Sequence, residues 1–146
     1  AAAAPEFAAE HFAGGLTAEA LRVAPQIEFD RHDVFQQRFI RRHTRAPLSP
    51  PRHFIPSSAE FLHAIELGMG WGMVPELQCR DAIADGRVVE LDPGRPVALP
   101  LYWQRWNLRS PVLDRLSAII AEEAAAALGS QAGTAPGTAG PARTAR

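Results

Sequence analysis

The chain has 146 residues and a mass of 15.8 kDa, and 47% of it is hydrophobic, which suits one modest domain with its own core and excludes disordered and collagen-like classes for most of its length. Fifteen basic residues, all arginine, nearly balance sixteen acidic ones, and a net charge of -1 gives no electrostatic footprint for nucleic acid or an anionic membrane. A lone cysteine, Cys79, forms no internal disulfide and fits a reducing compartment. No apolar run reaches the roughly 18 residues of a membrane span, and no secretion signal opens the chain.

Pro5 is well placed in the first turn of a helix that carries Phe7, Ala8 and Phe12 and ends at Gly14 and Gly15; the preceding AAAA could extend it. A short helix over 17–23 takes Thr17 as its N-cap, Pro25 stops it, and QIEFD (26–30) follows as a strand. In RHDVFQQRFIRR, Asp33 and Gln36 have capping-box spacing and Phe35 and Phe39 lie on one face, so an amphipathic helix with an arginine outer face is expected. The proline-rich APLSPP leads to HFIP (53–56), a short strand, and Ser57 with Glu60 starts a helix whose buried stripe is Phe61, Leu62 and Ile65.

Gly68 is the natural stop of that helix. WGMVP (71–75) reads as a strand, LQCRDAIAD (77–85) as a helix closed by Gly86, and RVVEL (87–91) and VALPLYWQRW (97–106) as strands. Ser110-Pro111 opens a final helix with Leu113, Leu116 and Ile120 inside. The tail 129–146, rich in Gly, Ala, Pro and Thr without a large apolar residue, is expected to be disordered. Strands alternating with helices predict an α/β sheet with mainly parallel pairing.

Three kinds of chemistry find little support in the residues. The glycines of GMGWG (68–72) follow a helix and enter a strand, the reverse of a phosphate-binding loop, so Gly68 caps while Gly70 and Gly72 allow close backbone approach. Ser58 with His32 and Asp30 could be nominated as a triad, but there is no G-x-S-x-G elbow and Ser57 already has a capping role. His11, His32, His43, His53, His63 and Cys79 show no metal-ligand spacing, so no metal or cofactor is expected; the histidines read as scattered and exposed, and Cys79 as a small buried residue.

Two places stay open between structure and binding. Asp30 and Asp33 suit turn chemistry and capping, yet one of them could face the crevice beyond the strand ends and pair with a cationic group. Ser57 and Ser58 share this ambiguity, because exposed N–H groups at a helix start suit a carboxylate. A turn acid and a helix-start donor would together suit a zwitterion. LYWQRW concentrates Tyr102, Trp103 and Trp106, for which core or interface packing is a better account than base stacking without a basic groove.

APQIEFDRHDVFQQRFIRR, HFIPSSAEFLHAIELGMGWGMVPE, DGRVVELDPG and PLYWQRWNLRSPVLDRL together resemble the effector-binding domain of LysR-type transcriptional regulators, most of all the ArgP/LysG branch, over about 5–128. The resemblance implies a type 2 periplasmic-binding-protein-like α/β fold of two subdomains with the effector between them. On that pattern 5–99 would be the second subdomain, essentially complete, and 100–128 the crossover strand and last helix of the first. The winged helix-turn-helix, the linker helix and the first half of the first subdomain find no counterpart here, so the chain is expected to be the C-terminal part of a regulator, with DNA bound only through the missing N-terminal domain.

Trp103, Trp106 and the inner face of the last helix would then be left partly uncovered and prone to association. The resemblance also implies a basic amino-acid effector, lysine or arginine, no catalysis, a cytoplasmic location and a homodimer or tetramer in the full-length regulator. It places the effector at Pro56, Ser57 and Ser58, with the turn bearing Asp30 and Asp33 bordering the same cleft. The competing expectation is an amino-acid solute-binding protein of the same fold.

Overall fold

The computed structural model describes residues 1–106 and 108–128; the tail 129–146 lies outside them. The chain divides into two units, Ala1–Leu99 and Pro100–Arg146.

The first unit is built on a five-stranded sheet of very short strands: β1 (Ala2–Ala3), β2 (Gln26–Glu28), β3 (Arg52–Phe54), β4 (Trp71–Gly72) and β5 (Val89–Glu90), in the order β3-β2-β4-β1-β5. β2 pairs in parallel with β3 and β4, whereas β1 pairs antiparallel with β4 and β5. The expected parallel pairing therefore holds for one half of the sheet only. The antiparallel half arises from β1, which the sequence hides: Ala-Ala has little strand preference, but Ala2 and Ala3 are buried at 3% and 0% exposure between β4 and β5. Small side chains let both helical layers close over that position.

The helices are α1 (Pro5–Phe12), α2 (Ala18–Val23), α3 (Phe35–His43), α4 (Ser58–Glu66) and α5 (Glu76–Ala84). Successive strand residues face opposite ways, so two cores form. On one side Ala3 and Trp71 pack with Phe7 and Phe12 of α1, Leu21 of α2, and Phe39 and Ile40 of α3; the rings of Phe39 and Trp71 stand 5.2 Å apart. On the other, Ala2 and Ile27 pack with Phe61, Ala64 and Ile65 of α4 and Ala82 of α5. Leu62, expected in the buried stripe of α4, is only partly covered.

Local signals hold where a specific hydrogen bond backs them. Thr17 Oγ1 accepts from Ala20 N at 3.2 Å and Ser57 Oγ from Glu60 N at 3.5 Å, as N-caps should. α4 ends before Gly68, whose φ of +74° suits a residue without Cβ. Gly70 is needed for a different reason: a Cβ there would lie 2.8 Å from the Pro25 carbonyl oxygen, on the chain running beside it. At Gly72 a Cβ would meet side chains, Phe61 and Ile65 of α4. Two histidines are not exposed as expected. His11 lies against the Phe7 ring, and His43 is largely covered with its Nε2 3.3 Å from Asp92. Cys79 is buried, which pushes its thiol pKa up.

The second unit holds α6 (Pro111–Leu128). The strand expected over 97–106 is absent, because its backbone groups find no neighbouring strand among the described residues. Trp103 Nε1 instead donates to Ser117 Oγ at 3.1 Å, and Arg105 pairs with Asp114 at 2.5 Å. No residue of α6 is buried, so Leu113, Leu116 and Ile120 form no core of their own.

Candidate effector-binding site

Parallel pairing decides what lies together. Glu28 at the end of β2 stands beside Phe54 at the end of β3, and Ile55 N donates to Glu28 O at 2.9 Å. The loop after β2, with Asp30 and Asp33, and the loop after β3, with Pro56 and Ser57, thus leave the sheet side by side at its carboxyl end. Open α/β sheets bind ligands beyond that end. Ser58 begins α4 at the same place.

The two aspartates differ in what they already hold. Asp33 is half-buried and accepts three hydrogen bonds: Oδ2 from Phe29 N at 3.0 Å and Gln36 Nε2 at 3.2 Å, and Oδ1 from Phe35 N at 3.0 Å. Gln36 donates as well to Ile27 O at 2.6 Å, bracing α3 against β2. The capping-box spacing thus works differently from expectation. Asp33 sits one residue before the cap position, Val34, and Gln36 reaches the strand rather than the cap's own N–H.

Asp30 is exposed, and its Oδ1 accepts from His32 N at 2.7 Å. Pro56 and Ser58 are exposed and Ser57 half-buried. The first N–H groups of a helix have no partner within it, and Ser57 Oγ satisfies only the one on Glu60. The start of α4 therefore leaves backbone donors without a partner inside the helix.

The triad of Ser58, His32 and Asp30 is not assembled among the described residues. His32 is 94% exposed on its side chain with Nδ1 3.7 Å from Asp30 Oδ1, and no hydrogen bond joins it to Ser58 among the described residues. No group of three or more His, Cys, Asp or Glu is placed to hold a metal among them.

One residue of this region escaped sequence reasoning. Glu28 alternates with Gln26 around Ile27, a pattern that suggests a solvent-facing polar side, yet Gln26 and Glu28 are buried at 0% and 2% exposure. Gln26 Nε2 donates to Glu28 Oε1 at 2.5 Å, and Arg52 NH1 lies 3.6 Å from Oε2. Burial pushes the Glu28 pKa above the usual carboxylate value, and the Asp33 charge adds to the rise; Arg52 and Gln26 offset it only in part. A charged residue in a three-residue strand carries no signal of its own that it will be covered.

The chain resembles known proteins over most of its length. The LysR substrate binding domain family matches residues 1–125. The HTH-type transcriptional regulator ArgP of Pseudomonas fluorescens is 38% identical over 119 residues, which cover 79% of this chain and 38% of the relative. The chain thus spans well under half the length of such regulators. Among solved structures, the C-terminal domains of a LysR family protein from Agrobacterium tumefaciens superpose with a TM-score of 0.80 at 40% identity, covering 86% of this chain and 61% of that one. Full-length LysG from Corynebacterium glutamicum, solved with bound effector Arg, gives 0.72 at 30% identity over 84% of this chain and 42% of that one.

Proposed function

The chain belongs to the LysR substrate-binding domain family, and on that premise we propose that it is the effector-sensing part of a transcriptional regulator that responds to a basic amino acid, lysine or arginine. Its fold is periplasmic-binding-protein-like. The observation that carries the choice of effector is the likeness to a LysG whose bound effector is arginine. The amino-acid solute-binding alternative has no such observation behind it, since the similar proteins are regulators by name.

On this reading 5–99 is the second effector subdomain, and 100–128 supplies a crossover segment and a helix to the first. The division of the chain between Leu99 and Pro100 supports that assignment. The effector meets the paired loops at the carboxyl end of the sheet. Backbone donors at Ser57 and Ser58 face its carboxylate, where the start of α4 favours negative charge, and Pro56, which has no N–H to give, lines the turn beside them. Asp30 receives a cationic group, and Asp33, already engaged three times, holds the loop in shape for it.

Effector binding then shifts the arrangement of a homodimer or tetramer in the cytoplasm, and DNA is recognised by a part of the regulator outside this chain. No helix among the described residues is long and apolar enough to cross a membrane. Calorimetric titration of a full-length regulator carrying this chain tests the reading. Arginine or lysine should bind with saturable heat and glutamate should not; saturable binding of neither basic amino acid refutes it.

A further inference from the structure

Glu28 is a buried carboxylate at the seam between the two candidate loops. Its carbonyl accepts from Ile55 N, at the start of one loop, and its chain neighbour Phe29 donates to Asp33 in the other. Its nearest cation, Arg52, stands at 3.6 Å, longer than a normal charged hydrogen bond, and the Arg52 side chain is 47% exposed while that of Glu28 is 3% exposed. The cation beside the carboxylate is thus a half-solvated guanidinium at long range, while the close partner, Gln26, is neutral. A buried charge with so loose a counter-ion is poor design for stability alone, because desolvating it costs more than a distant partner returns.

We propose that Glu28 is the specificity-determining counter-charge for the cationic end of a basic amino-acid effector, and that Arg52 occupies the effector's place until an incoming ammonium or guanidinium displaces it. This rests on the effector-sensing reading given above. Gln26 keeps Oε1 through its 2.5 Å hydrogen bond, which leaves Oε2, the oxygen facing Arg52, for the newcomer. Arg52 has somewhere to go: its guanidinium carbon already lies 5.8 Å from the centre of the exposed Phe54 ring, a cation-π position that persists when Glu28 is given up. Asp30 attracts the effector's charge from an exposed position, where solvent screens it; Glu28 acts from a desolvated one, where the difference between a charged and a neutral ligand is felt most.

Burial also raises the Glu28 pKa, so a cation that joins it does more to restore its ionised form than the same cation at a solvated acid.

The test compares L-arginine with L-citrulline, nearly the same shape without the charge, by calorimetry on a full-length regulator carrying this chain. Glu28→Gln should lower arginine affinity by about thirtyfold or more and leave citrulline nearly unchanged. Arg52→Ala should strengthen arginine binding, because the internal competitor is gone. If Glu28→Gln keeps the wild-type ratio of arginine to citrulline affinity, the proposal is overturned while the effector reading stands. Should Glu28→Gln not fold, Arg52→Ala decides alone: unchanged or weaker arginine binding overturns the exchange. Failure of the wild type to bind either basic amino acid removes both readings together.

Discussion

Gly70→Ala probes the seam on which the site's sheet depends. Its new Cβ would stand 2.8 Å from Pro25 O, 3.2 Å from Pro25 C and 3.1 Å from Ile27 Cγ1. Two of these three atoms are backbone, so relief cannot come from a rotamer change. The same Pro25 carbonyl accepts from Trp71 N at 3.1 Å, the bond that holds β4 to the start of β2. Moving the strands apart by about half an ångström, enough to restore an ordinary contact, overpacks the interior at about 1–3 kcal/mol. Weakening a buried backbone hydrogen bond adds about 1 kcal/mol.

The expected loss is therefore about 2–4 kcal/mol, a large share of the roughly 5–15 kcal/mol that holds a domain folded. Urea unfolding followed by the fluorescence of buried Trp71 reads the change in midpoint. Gly68→Ala is the control. It meets nothing within 4 Å and carries only the left-handed conformation at φ +74°, about 1 kcal/mol. If Gly70→Ala proves no more destabilising than Gly68→Ala, close strand approach is not why Gly70 is there.

Asp33→Ala should cost about 2–3 kcal/mol in the same unfolding assay, through loss of the three hydrogen bonds it accepts, whereas Asp30→Ala should stay within about 0.5 kcal/mol; equal effects would contradict the division of labour between them. Glu28 has a raised pKa in the fold, so the stability it contributes is full below its unfolded value and is lost as pH rises through its folded value. Glu28→Gln should therefore gain on the wild type in effector-free stability as pH is raised from about 4 to about 7, and a difference that stays flat or runs the other way refutes the burial argument. In the second unit Trp106 is 84% exposed, Val112 75% and Leu101 68%. The isolated chain should self-associate in sedimentation velocity; a clean monomer with little hydrophobic-dye binding would count against that.

What was legible in the sequence follows from where the cause of each feature lies. Thr17 and Ser57 act on N–H groups three residues away, and Gly68 acts on its own φ, so the helix ends they set could be read locally. Pro5 likewise opened α1 as its fixed φ predicts. β1 could not be read, because Ala2 and Ala3 become a strand only through β4 and β5, some 70 to 88 residues along the chain by their pairing with Gly72, Val89 and Glu90. LYWQRW failed in the opposite way: its aromatic and alternating residues favour a strand, and with no neighbouring strand among the described residues none forms there.

The candidate loops were legible as turns and caps, and their adjacency needed only parallel pairing of β2 with β3. Glu28 was not. Its alternation with Ile27 is the same whether the polar face meets water or α3, and the sequence of β2 does not say which.

That distinction bears on how the site recognises anything. Asp33 fastens Phe29 N on one side of the turn and Phe35 N on the other, while Gln36 ties the turn to Asp33 and the helix to Ile27 O. The turn between them is fixed at both ends before a ligand arrives, so ordering it costs the ligand little. Asp30, Arg31 and His32 are the exposed polar residues inside that braced arc. The motif-like spacing of Asp33 and Gln36 therefore marks a support, and on the proposed reading discrimination falls to the residues it supports and to Glu28 at the strand end beneath. A substitution at Asp33 should accordingly weaken charged and uncharged ligands alike, through a loosened turn, whereas one at Glu28 should separate them.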